Sequence, residues 1–298
     1  MLASSKDITM LSRVRIGALF GILLIISACR ELQTQEDSHL SWFTGAGPTR
    51  GHEDLTRMGV DRANAVLAGE IGLRPFPGIA KGVAGVDSEN PLVKGNYESD
   101  FPSQRMFDFY QLPSDVDWHH HDSIQHVHSL RDRVDGNYVG SREACERVRA
   151  AISAASHEAA EKFALGLNDE GLYWLGHATH ILQDSFSPAH TERNGEGLRS
   201  ISSFCTYGQE VAGICYHHTT DLRDRVWRDT LACSLDANNR GYSCLVPEAQ
   251  RAVEASGGYL RAVGEAIFRG GDLDEGLERF YTDRSAADLG YFSCEELI

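Results

Sequence analysis

The clearest alternation of apolar and polar positions lies in the second half of the chain. The stretch "SREACERVRAAISAASHEAAEKFALGL", residues 141–167, is alanine-rich with charges interspersed, and predicts a long helix. Asn168 and Asp169 are placed to cap a second helix through "EGLYWLGHATHILQDSF", with Pro188 following its end. "HHTTDLRDRVWRDTLA" predicts a third. "PEAQRAVEASGGYLRAVGEAIF" opens on Pro247, suited to a first helical turn, and meets Gly270 and Gly271 soon after it ends. A short helix is expected from about Leu273 to Tyr281. Nearer the N-terminus, "GHEDLTRMGVDRANAVLAGEIG" places Leu55, Met58, Val60, Ala63 and Leu67 at a roughly helical spacing. Residues 72–116 are rich in Gly, Pro, Asp and Ser with no sustained period, and predict long loops. Convincing strands are few. The pattern predicts an all-α fold, a single multi-helix domain over 42–298 with elaborate loops.

The first 41 residues have a different texture. Lys6, Arg13 and Arg15 precede the apolar run "IGALFGILLIISA", which is shorter than the ~20 residues needed to span a bilayer. Positive charge followed by a short apolar core predicts a signal peptide over 1–28. The run ends "IISAC", a pattern that resembles a bacterial lipobox, in which Cys29 is lipidated and becomes the mature first residue. Cleavage by an ordinary signal peptidase after Ala28 or further on is the other reading. Residues 29–41 are polar and are expected to be a tether. The chain is therefore expected to be exported, either as a lipoprotein held at a membrane surface in the periplasm or on the cell exterior, or as a secreted protein.

Composition agrees with export. Of seven cysteines, six remain once Cys29 is set aside, enough for three disulfides in an oxidising compartment. No pair has Cys-x-x-Cys spacing, which argues against a cysteine-ligated zinc. The net charge is −15, from 28 basic and 43 acidic residues. Such a surface argues against non-specific nucleic-acid binding, which needs a basic footprint. It fits either a protein that collects cations or a simply solvated acidic surface.

Chemistry concentrates in "GHATHILQDSFSPAH". His180 and Asp184 are four apart on a predicted helix, so they share a face at about 6 Å between Cβ atoms. His190 returns past the Ser187-Pro188 turn, giving H-x3-D-x5-H. Two ligands on one helical turn can grip a metal; alternatively they are a His–Asp pair in a helical core. Other ligands stand elsewhere in the chain. His217 and Asp221 repeat the spacing of four, with His218 and Asp224 nearby. His52 opens a helix beside Glu53 and Asp54. "DVDWHHHDSIQHVHSLRDR" carries five histidines, of which one is expected to be a ligand. Imidazole and carboxylate donors suit zinc.

Taken together, "GHEDLTR", "GNYESDFP", "HSLR", "LGHATHILQDSFSPAHTER" and "HHTTD" resemble, in order, the bacterial zinc-dependent phospholipases C that hydrolyse phosphatidylcholine, especially the gram-negative branch. More distantly they resemble the zinc-dependent single-strand nucleases. The resemblance runs from about Trp42 to Trp227. It implies an all-α fold and three zinc ions in one cleft. His180 and Asp184 would hold a zinc pair, with Asp184 bridging. Asp100 and His128 would complete one of these sites, with His126 and His119 as the alternatives to His128. His52 would hold the second ion, and His190, His217 and Asp221 the third. Asp100 would also orient or deprotonate the attacking water. Asp221 stands where family members often have Glu. Trp42 matches a tryptophan that binds zinc through a free N-terminal amine, which it would lack if Cys29 is the mature terminus. His177 finds no partner in this scheme and is expected to support a ligand rather than be one. The implied activity is hydrolysis of phospholipid by a zinc-activated water, with phospholipid as the partner and no nucleic acid. The alternatives are a nuclease or phosphatase on the same metal core, and a zinc-binding lipoprotein without catalysis.

Overall fold

Why helices dominate is visible in one element. The helix Asn168–Asp184 is buried along every residue from Gly171 to Asp184, so other helices must surround it. The structure, a computed structural model, describes residues 51–81, 88–113, 118, 121–194, 197–204, 226–228, 241–282, 294 and 297. In chain order its helices are α1 (Gly51–Glu70), α2 (Pro91–Asp100), α3 (Gln104–Tyr110), α4 (Ser141–Ala164), α5 (Asn168–Asp184), α6 (Pro247–Arg269) and α7 (Leu273–Thr282). A 3-10 turn, Gln125–His128, lies between α3 and α4. The strands form two small antiparallel hairpins, Arg133–Val134 with Asn137–Tyr138 and Thr191–Asn194 with Gly197–Ile201. The fold is all-α, as the hydrophobic pattern predicts.

The helix α5 is the axis of the packing. On one side it meets α2, on another α4, while α6 pairs with α1 and α7. The approach of α2 to α5 is set by two glycines. A Cβ on Gly95 would overlap the Tyr173 carbonyl, and one on Gly176 would overlap the Leu92 carbonyl. Each helix thus presents bare backbone to the other, and the side chains flanking the glycines are brought unusually near. The apolar core spreads outward from this contact through Leu55, Leu92, Val148, Ile152, Leu175, Leu182, Leu260 and Val263. The disulfide Cys145–Cys294 ties α4 to the C-terminal segment across 149 residues. Cys244 is disulfide-bonded too.

Two of the predicted segments are corrected. Residues 72–116, expected to be loops, contain α2 and α3. Asn90 caps α2 by accepting from the amides of Leu92 and Val93, and Pro91 occupies its first turn. The helix escapes a periodicity search because its buried face includes Gly95, Asn96, Ser99 and Asp100 beside Leu92 and Val93. Small and polar residues do there what large apolar ones do elsewhere. The second correction concerns the helix expected over 217–232. Its described part, residues 226–228, is not helical: Trp227 bridges antiparallel to Leu245, and the Arg228 amide donates to the Cys244 carbonyl. The remainder of that segment lies outside the described residues, as do Cys29 and Trp42. At α5 the shift is smaller. The helix already includes Asn168, and Asp169 and Glu170 sit in its first turn, where acidic side chains complement the helix dipole. Among the described residues, no helix is long and apolar enough to cross a membrane.

Candidate metal centre

The last turn of α5 places His180 and Asp184 on one face, and three other elements close over them. The first turn of α1 brings His52, the end of α2 brings Asp100, and the 3-10 turn brings His128. All five side chains are almost fully buried. The Asp184 carboxylate is the hub. Its Oδ1 lies 3.1 Å from His52 Nε2. Its Oδ2 lies 3.1 Å from His180 Nε2 and 3.3 Å from His128 Nδ1. Asp100 Oδ1 stands 3.4 Å from His180 Nε2 and 3.8 Å from His128 Nδ1. The rings of His52 and His180 have centroids 4.3 Å apart.

Two overlapping sets of donors result: His52, His180 and Asp184, and Asp100, His128 and His180. In each, one ligand atom per residue lies within 4.8 Å of the others. These buried groups can hold a metal ion. A second observation supports the fit. Neither ring nitrogen of His180 makes a hydrogen bond among the described residues, although the side chain is fully buried. Buried polar atoms are normally paired, and Nε2 faces two carboxylates at distances a bridging cation would suit.

The local supports explain the geometry. The 3-10 turn is clamped by Asp132, whose Oδ1 accepts from the His126 amide at 3.0 Å and whose Oδ2 accepts from His126 Nδ1 at 2.8 Å and Arg147 Nη1 at 2.9 Å. Ser129 Oγ donates to the Ile181 carbonyl at 2.7 Å, docking the turn on α5. Trp118 donates its Nε1–H to the Ser99 carbonyl at 2.7 Å and turns an edge toward His128. His126 is thereby committed to Asp132, and among the described residues His128 is the histidine of its cluster that reaches Asp100 and Asp184. His119 lies outside the described residues.

His190 enters beyond the turn that ends α5. Its Nδ1 donates to the His128 carbonyl at 2.5 Å and lies 3.7 Å from Asp184 Oδ2. A metal would meet its other nitrogen. The partners expected for it, His217 and Asp221, lie outside the described residues. His177, one turn back along α5, is held on both sides. Ser99 Oγ is 2.7 Å from its Nδ1, and Tyr110 Oη is 2.6 Å from its Nε2. Since the Ser99 hydroxyl donates to the Gly95 carbonyl, the His177 Nδ1–H donates to Ser99 and Tyr110 donates to Nε2.

Electrostatics follow the same division. Burial alone would lower the His52 pKa, but the hydrogen bond and charge of Asp184, with Asp100 behind it, raise it to about 9. Burial would raise the Asp184 carboxyl. The attraction of His180 and His190, with contacts from His128 and His180, holds it well below the usual carboxylate range. His177, buried and facing other imidazoles, is pushed well below its ordinary value and stays neutral.

Several supporting residues were not singled out in the sequence: Thr56, Asn96, Gln183 and Ser256, which form one buried network behind His52, and Ser99, Tyr110 and Asp132. The available signal was a polar residue on the buried face of a helix, as at Gln183 beside Asp184. Compared with protein-family models, curated proteins and solved structures, the chain matches none.

Proposed function

We propose that this chain is a zinc-dependent phosphodiesterase that hydrolyses phosphatidylcholine-like phospholipid to diacylglycerol and a phosphorylated headgroup. The observation that carries the reading is the Asp184 carboxylate set among His52, His128 and His180, with Asp100 opposite, all buried. A mixed imidazole–carboxylate set of this kind is the donor chemistry of zinc. The order of the "GHEDLTR", "ESDFP", "HSLR" and "HATHILQDSFSPAH" motifs supplies the substrate class by resemblance. His52 would hold one ion, and Asp100 with His128 a second. Asp184 reaches toward both, and His180 stands between them. His190 would serve a third ion with His217 and Asp221, and with Cys29 as the mature terminus Trp42 would offer only its carbonyl oxygen. Zinc, when bound, lowers the pKa of water toward neutrality and offsets charge on phosphoryl oxygens. Asp100, on the side of the cluster away from His52, orients the attacking water and holds its proton at a carboxylate oxygen. An acyl anchor at Cys29 would keep the enzyme at a membrane surface, next to its substrate.

The test joins metal analysis to activity. Purified protein is assayed on phosphatidylcholine vesicles, single-stranded DNA and a phosphate monoester, with and without chelator, from one zinc-loaded preparation. The expected result is bound zinc and chelator-sensitive release of phosphorylated headgroup. Zinc binding without turnover would instead assign a zinc-binding lipoprotein, and turnover of DNA alone a nuclease.

A further inference from the structure

Behind His52 lies a hydrogen-bond network whose direction can be read from a single hydroxyl. Ser256 Oγ donates its only proton to the Ala252 carbonyl, at 2.7 Å. Toward Gln183, 3.3 Å away, Ser256 can therefore only accept. The atom of Gln183 that faces Ser256 must be its amide nitrogen. The same nitrogen donates to Thr56 Oγ1 at 3.0 Å. The side-chain oxygen of Gln183 then points the other way. There it accepts from Asn96 Nδ2 at 3.3 Å and lies 2.8 Å from His52 Nδ1. An acceptor at that distance requires a proton on Nδ1. His52 Nε2, on the opposite edge of the ring, is the nitrogen that stands 3.1 Å from Asp184. Every member of this network is buried, so water does not compete for the amide.

We propose that Gln183 is a positioning residue that fixes His52 as the Nδ1–H tautomer and so presents Nε2 as the metal-binding nitrogen. The inference deepens the metal-binding reading above and rests on it for its purpose. A ligating histidine is commonly oriented through its other ring nitrogen, and loss of that partner weakens metal binding about 10–100-fold. Here the partner is an amide from the residue next to the hub carboxylate. One helical turn thus supplies both Asp184 and the group that aims His52 at the same ion. Thr56, Asn96 and Ser256 act a step further out, by holding the amide the right way round.

Two measurements test it. The first is the nitrogen chemical shifts of His52 in isotopically labelled protein, taken zinc-loaded and metal-free near neutral pH. Nδ1 is expected to be protonated in both samples, with Nε2 on the metal in the first and donating to Asp184 in the second, and a bare Nδ1 in either overturns the inference. Because the metal-free sample reports independently, a wild-type protein that takes up no zinc would defeat the proposed function while the tautomer is still decided. The second is zinc affinity by chelator competition in variants whose fold is checked by circular dichroism. Gln183→Met should lose roughly 10–100-fold in affinity and populate both His52 tautomers. Gln183→Glu keeps an acceptor oxygen toward His52 and, carrying a proton on the oxygen that faces Thr56 and Ser256, should restore the Nδ1–H tautomer and most of the affinity. In a His52→Ala background, Gln183→Met should cause no further loss. Wild-type affinity in folded Gln183→Met, or an undiminished loss in the His52→Ala background, overturns the inference. If Gln183→Met does not fold, the wild-type spectrum and Gln183→Glu decide.

Discussion

Two histidines one turn apart on α5 are equally buried and live in opposite surroundings. His177 has both ring nitrogens engaged, by Ser99 and Tyr110, and aromatic edges from Tyr110 and Trp174 pack around it. His180 has neither nitrogen in a hydrogen bond among the described residues, and its Nε2 looks at two carboxylates. Burial therefore says nothing about which is a ligand. What separates them is whether the polar valence is already closed. The neutral partners of His177 complete it as a strut between α2 and α5. His180 Nε2 faces two carboxylates without a hydrogen bond to either, and a cation between them would complete the group.

The largest break in this comparison should come from Asp184, which belongs to the His180 pocket alone. Asp184→Asn keeps the shape and removes the charge. It is expected to abolish metal occupancy of both donor sets, read by elemental analysis, and with it any phosphodiesterase activity. Full activity in this variant would end the assignment of the site. Next comes Gly176, which serves both pockets because it lets α2 lie on α5. Gly176→Ala drives a methyl into the Leu92 carbonyl. Neither backbone can yield cheaply, so a loss of about 3 kcal/mol is expected in a urea titration, at the upper end of overpacking costs. Metal affinity should fall as well, since Ser99 and Asp100 ride on the displaced helix. A variant as stable as wild type would show that the helices are not held this close.

His177→Phe removes one side of the comparison. It leaves the Tyr110 hydroxyl and Ser99 without their buried partner, at a cost of about 2 kcal/mol. Zinc content should stay near that of the wild type, whereas His180→Phe should lose it. If His177→Phe lost metal as completely as His180→Phe, the two pockets would not be separable.

The sequence carried the two pockets unequally. His180 and Asp184 are legible from a spacing of four on a strongly helical segment, because both ends of the contact lie on one element. His52, Asp100 and His128 come from three other elements: His52 and the 119–128 histidines stood out as candidates on their own, but Asp100 and the choice of His128 came only through resemblance to a family. The partners of His177 left no such trace. Ser99 sits on a helix whose buried face is Gly95, Asn96, Ser99 and Asp100 as much as Leu92 and Val93, so apolar periodicity missed the helix altogether. Gln183 was hidden for a related reason: its role depends on a tautomer set by Ser256, 73 residues away. Local pattern reports which face of a helix is buried when that face is greasy. It is silent where burial is accomplished by small residues and closed hydrogen bonds.

A third histidine–carboxylate contact, His126 with Asp132, provides the smallest and most discriminating prediction. It has the His180 ingredients, yet Arg147 supplies the missing positive charge, so it should behave like the closed His177 pocket. Burial alone would raise the Asp132 carboxyl. The hydrogen bonds from the His126 ring and amide and from Arg147 outweigh that and hold its pKa below the ordinary value. A carboxyl depressed in the folded state stabilises the fold above the pKa of the unfolded chain, and that contribution fades as pH falls through the folded value. Asp132→Asn should therefore cost about 1–2 kcal/mol near neutral pH, and the gap from wild type should shrink steadily once the solution is more acidic than a free aspartate's pKa. Urea midpoints across that range read the effect directly. Zinc binding should weaken only modestly, because the turn carrying His128 also rests on Ser129 and α5. A gap that stayed constant with pH would mean that the carboxylate charge contributes nothing there. A complete loss of metal would place Asp132 with the ligands, and Arg147 would then have failed to close the pocket.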